Sequence, residues 1–94
     1  MHSWEVVCVV KREGSEYKDC RSIDEIGFRV ANKIQKRNID QVYSMMESGL
    51  AGYHIIVGSE ELAFKSVSMD GIKYVRTLDT DDENDDLMKL GSCE

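Results

Sequence analysis

The chain has 94 residues, with 12 Lys plus Arg against 18 Asp plus Glu, a formal charge of −6 and no proline. That length holds one domain; at 41% apolar and 32% charged residues it is too hydrophobic for a disordered chain, and its one modest core leaves no room for a large enclosed active-site cavity. The charge is concentrated, because residues 79–94 carry seven acids against one base while residues 1–78 are balanced at 11 and 11, a neutral sheet-and-helix body followed by an acidic tail.

From Trp4 to Val10 both alternating sets, Trp4/Val6/Cys8/Val10 and Val7/Val9, are apolar and largely β-branched, which predicts a central strand covered on both faces. The run stops at Lys11 and has no basic leader, too little for a signal peptide, and Leu50 to Gly58 is about half a bilayer span, so neither export nor membrane anchoring is expected. Cys8, Cys20 and Cys93, with 11 and 72 residues between them, fit neither a disulfide framework nor metal knuckles and point to a reducing cytoplasm.

After a polar turn around Gly14, Asp19 to Gly27 supports two readings. It alternates as the return arm of a hairpin, yet Ser22-x-x-Glu25 has capping-box form and Ile23, Ile26, Val30 and Ile34 lie at helical spacing, with Gly27 against an unbroken helix. Arg29, Lys33, Lys36 and Arg37 then follow without an acid, a local +4 that reads as a solvated loop or helix face, or as a patch for phosphate or an acidic partner.

The clearest helix starts at Asn38, whose side chain can cap it with Gln41 three residues on. Ile39, Val42, Tyr43 and Met46 share a face, and Gly49 suits the left-handed C′ position. Tyr53 to Val57 is a strand, Gly58-Ser59-Glu60 turns it into Glu61 to Met69, and Asp70-Gly71 marks a type I′ hairpin into Ile72 to Leu78. The expected fold is α+β: an antiparallel sheet of four to five strands, one main helix packed on one face, and a short C-terminal helical turn.

Lys73-Tyr74-Val75-Arg76-Thr77, then Asp79, then Asp85-Asp86-Leu87-Met88, Leu90 and Cys93 resemble the small prokaryotic family of unknown function numbered 3892, with its K-Y-L-R-T-x-x-D and D-N-L-L-x-L-P-x-C pattern. Upstream, Ile23 to Gly27 and Met46-Glu47-Ser48-Gly49 extend the likeness, while Asp86 stands for the family's Asn and Gly91 for its Pro. The resemblance implies a strand over Asp19 to Gly27; it implies no activity.

Arg76, at a strand end beside Thr77 and just before the carboxylates Asp79, Asp81, Asp82, Glu83, Asp85 and Asp86, marks the candidate binding site. An arginine fork there can hold a carboxylate or phosphate bidentately, or clamp the tail internally through Asp79 or Asp85. Thr80-Asp81-Asp82-Glu83 forms a capping box for a short helix to about Leu90, with Gly91 as C′. As a calcium loop the run fails, having Asn84 in place of the required Gly and Leu90 in place of the bidentate Glu.

Zinc at Cys8, Cys20, Cys93 and His54 requires the fold to converge them, and neither His2 nor His54 has an orienting carboxylate or a nucleophile at motif spacing. No metal or cofactor is therefore expected. The functional expectation is a non-enzymatic, cytoplasmic interaction module using Arg76 and the tail, its partner a protein with a basic surface or a second copy in a homodimer. Net charge disfavours direct nucleic-acid binding. The alternative is an inhibitor of the kind mobile elements encode, acting by nucleic-acid mimicry or ligand sequestration; an enzyme with Cys93 as nucleophile is a third reading.

Overall fold

The structure, a computed structural model, describes residues 2–93. Strand β1 (His2–Lys11) is central in a five-stranded sheet of order β3-β2-β1-β4-β5, where β2 is Ile23–Val30, β3 Lys33–Asn38, β4 Ala51–Val57 and β5 Glu60–Ala63. A separate antiparallel hairpin pairs β6 (Lys65–Met69) with β7 (Ile72–Arg76). Helix α1 (Ile39–Glu47) packs against β7 and reaches β2, β3, β4 and β6, burying Ile39 and Val42.

The sheet is mixed, which corrects the antiparallel expectation. β1, β2 and β3 follow one another as antiparallel neighbours. α1 then carries the chain back across the sheet, so β4 arrives parallel to β1, from His2 opposite Ala51 to Glu5 opposite His54. A parallel neighbour needs such a crossover, and α1 supplies it. The anticipated strand Glu61 to Met69 is also interrupted: Phe64 is buried and its N–H donates to the Tyr53 carbonyl at 2.8 Å, ending β5 and re-aiming the chain into the second hairpin.

Between Asp19 and Gly27 the strand reading holds, preceded by a 3-10 turn at Cys20–Ser22 capped by Asp19. Ile26 and Phe28 face the core opposite Val9 and Val6 of β1, contacts no isolated helix offers. The basic segment is neither loop nor helix; it completes β2 and forms edge strand β3 through a two-residue turn at Ala31-Asn32. Ala31 adopts φ 54, a left-handed conformation costly for alanine, so turn chemistry gave no warning.

α1 begins as anticipated, with the Asn38 side chain accepting from Gln41 N–H at 2.9 Å. It ends in a Schellman motif: Gly49 N–H donates to Met46 O, and Leu50 N–H to Met45 O, with Gly49 at φ 75. Asp70 and Gly71 take φ 53 and 77, as the type I′ turn requires.

Gly27 has a different importance. Cys8 and Cys93 form a disulfide directly over it, with Cα atoms 5.0 Å apart. A Cβ at Gly27 would collide with Cys8 Sγ and meet Cys93 Sγ at 2.7 Å and Ile34 Cγ2 at 3.0 Å. Gly27→Ala should therefore prevent this bridge, raising the thiol count of the denatured, unreduced protein from one to three; an unchanged count would show that the sheet gives way instead.

Candidate functional site

The acidic tail folds inward. Asp85 is 1% exposed, and its carboxylate accepts from Thr77 N–H at 2.9 Å, Leu78 N–H at 3.2 Å, Leu87 N–H at 3.0 Å and the Thr77 hydroxyl. Burial alone would raise the Asp85 pKa, but these four donors hold it below the usual carboxylate value. Through Leu87 N–H, Asp85 caps a single 3-10 turn, Asp86–Lys89, which docks the buried Leu87 into the core.

This turn replaces the helix expected from Thr80. Asp81 is drawn away to Tyr74 and Arg76, while Asp82 accepts from Asn84 N–H at 2.8 Å in a local turn, so the predicted capping box has no helix to cap. Asp86 pairs with Lys89 at 3.3 Å, and Glu83 is exposed.

Arg76 acts as an internal clamp, with a different partner from those anticipated. Its Nη1 donates to Asp81 at 2.6 Å and its Nη2 to the Asp79 backbone carbonyl at 3.0 Å, whereas the Asp79 carboxylate pairs with Lys65. The Arg76 and Asp81 side chains are only 14% and 19% exposed. Tyr74 donates to the same Asp81 carboxylate at 2.6 Å, and burial together with that bond pushes the phenol up to about 12. Alongside, Arg21 holds Asp19 through contacts of 2.9 and 2.6 Å and lies over the Tyr17 ring at 4.3 Å. The Arg21 bond is the main reason the Asp19 pKa is lowered.

The cysteines do not converge as a zinc set. Cys8 and Cys93 are joined, which removes both the ground for assigning a reducing compartment and the free Cys93 thiol that a nucleophile requires. Cys20 is buried, and burial, reinforced by Asp85, pushes its thiol far up. Among the described residues no group of three His, Cys, Asp or Glu side chains is placed to hold a metal, and no helix is long and apolar enough to cross a membrane.

His54 does have neighbours that sequence spacing could not reveal. Ser3 Oγ lies 2.7 Å from its Nδ1 and Glu61 Oε1 lies 3.5 Å from its Nε2, brought together because β4 lies between β1 and β5. The set orients an imidazole on a sheet face whose backbone groups are already committed to the flanking ladders.

Strand alternation divides the basic segment. Lys33 and Arg37 lie on the helix-covered face with Phe28, and Arg29 and Lys36 on the opposite face with Gly27. Arg37 donates to the Tyr53 hydroxyl at 2.6 Å and stacks 4.6 Å from the Phe28 ring centroid, while Arg29 lies 3.7 Å from Glu5. The +4 segment is thus a basic sheet edge instead of a one-sided patch. No family model, curated protein or solved structure matches the chain.

Proposed function

We propose that the protein is a non-enzymatic interaction module that receives an extended acidic segment of another protein along the open edge of β3. One observation carries this reading: β3 is a six-residue edge strand, exposed at every position except the partly buried Arg37, in a segment containing cations and no acid. An unpaired strand edge is a template for another strand, and main-chain pairing supplies affinity while alternate side chains supply specificity.

The register identifies the outward groups. A two-residue turn makes Val30 and Lys33 a hydrogen-bonded pair, so Lys33, Gln35 and Arg37 bond to β2 and the Ile34 backbone points away from the sheet. Ile34 is 49% exposed, an apolar contact beside the cations. Asp81 and Asp85 serve the interior, which shifts the binding surface from the tail to this edge. The nucleic-acid-mimic reading retains Asp79 and Glu83 as its outward carboxylates.

The test is titration with a synthetic ten-residue peptide of alternating Glu and Val, followed by amide NMR. Shifts centred on residues 33–37, weakening with added salt and abolished by Ile34→Pro, are expected. No shifts, or shifts centred on the tail, would overturn the assignment; competition by DNA for whatever the tail binds would favour mimicry.

A further inference from the structure

β4 covers only the first part of β1, its pairing ending where Glu5 meets His54. Further along β1 the same side is occupied by the chain's own last described residues. Val9 N–H donates to Gly91 O at 3.0 Å, Cys93 N–H donates to Val9 O at 3.0 Å, and Ser92 bridges Val9 in parallel sense. The disulfide to Cys8 lies immediately beside these bonds.

The tail therefore has two parts of unequal strength. Residues 85–89 are anchored by the four-donor bonding of Asp85 and by buried Leu87. Residues 91–93 are a strand fragment, bonded to β1 at Val9 among other contacts and too short to be a stable strand by itself in water. The disulfide adds a covalent attachment to these contacts.

We propose that the Cys8–Cys93 disulfide is a thiol-operated latch that keeps residues 91–93 on the edge of β1 and releases them when reduced. A dithiol reductant supplies the electrons. One of its thiolates attacks Sγ of Cys93, the less buried of the two residues, forming a mixed disulfide and expelling the Cys8 thiolate; its second thiolate then displaces Cys93, and the freed thiolates take up protons while the reductant becomes a disulfide. Opening uncovers the Val9 backbone groups and withdraws Ser92 from the wall of the groove of about 430 Å³ that it shares with Val9, Val10, Lys11, Glu13 and Leu90. The body stays folded, because Asp85 and Leu87 hold the chain up to that point.

Amide hydrogen exchange on the full chain, with and without dithiothreitol, tests the latch. Reduction should speed exchange at Val9 and Cys93 by about tenfold or more while the Thr77 and Leu87 amides, held by Asp85, keep their protection. Cys93→Ser should reproduce the reduced pattern without reductant. Unchanged protection at Val9 after thiol titration shows both sulfurs free would overturn the proposal, as would simultaneous loss of protection at Thr77 and Leu87, which would make the bridge a staple for the whole fold.

Discussion

Replacing Asp85 with alanine should destabilise the protein by about 3–5 kcal/mol, read from urea denaturation. The substitution deletes one buried carboxylate but orphans three backbone N–H groups and a hydroxyl, of which the two Thr77 donors and the Leu87 N–H are buried away from water. It also removes the cap of the Asp86–Lys89 turn, loosening Leu87 in the core. Asp85→Asn should cost less, because its amide oxygen still accepts some of these bonds while its NH₂ faces donors. The wild type should lose stability in acid for the same reason. Asp19, Asp81 and Asp85 all have folded-state pKa values below the unfolded value, so between the two the unfolded chain binds more protons. Their stabilisation is complete above about pH 4 and is lost as pH falls through the folded values. Asp85→Asn should flatten that decline.

Arg76→Ala should cost about 2–3 kcal/mol, less than a fully buried pair because the Arg76 and Asp81 side chains retain some solvent contact. Among the described residues it leaves the Asp81 carboxylate the Tyr74 hydroxyl as its hydrogen-bond donor, and it frees the Asp79 carbonyl that fixes the start of the tail. Arg76→Lys should restore little, since one ammonium cannot reproduce a fork that reaches a carboxylate and a carbonyl together. Thermal melting distinguishes the alternatives: an Arg76 reserved for an external ligand would leave the melting temperature unchanged on truncation, whereas the clamp requires it to fall.

What the sequence made legible was local. β1 was plain from seven residues apolar on both alternations apart from Glu5, α1 from Asn38 and Gly49 at its ends, and the second hairpin from Asp70-Gly71, because each signal lies within a few residues of what it specifies. β3 was missed because an edge strand buries little: Lys33, Gln35, Lys36 and Arg37 carry no apolar alternation, and Ala31 stands where glycine would have marked the turn. The parallel arrival of β4 follows from where α1 lands, which no strand pattern encodes. The disulfide spans 85 positions and depends on Gly27, a residue whose significance lies in the side chain it lacks.

The candidate site shows the same division. Arg76 stood out for its position between a strand end and a run of acids, and an internal clamp was one of its two readings. The choice of Asp81 over Asp79 or Asp85 depends on which carboxylate Tyr74 and the turn at Asp82 leave facing the guanidinium. The tail's negative charge consequently divides between interior ligands, Asp81 and Asp85, and outward groups such as Asp79 and Glu83. Composition alone cannot separate acids that terminate hydrogen bonds from acids that face water.

The acidic tail is an internal anchor of the fold, through Asp81 and Asp85. Carboxylate carbon NMR across an acid titration tests it most directly, following Asp81 and Asp85 individually in the native state. Both should titrate below the ordinary aspartate value near 3.9. Titration of both at that ordinary value would instead mean a solvated tail that anchors nothing.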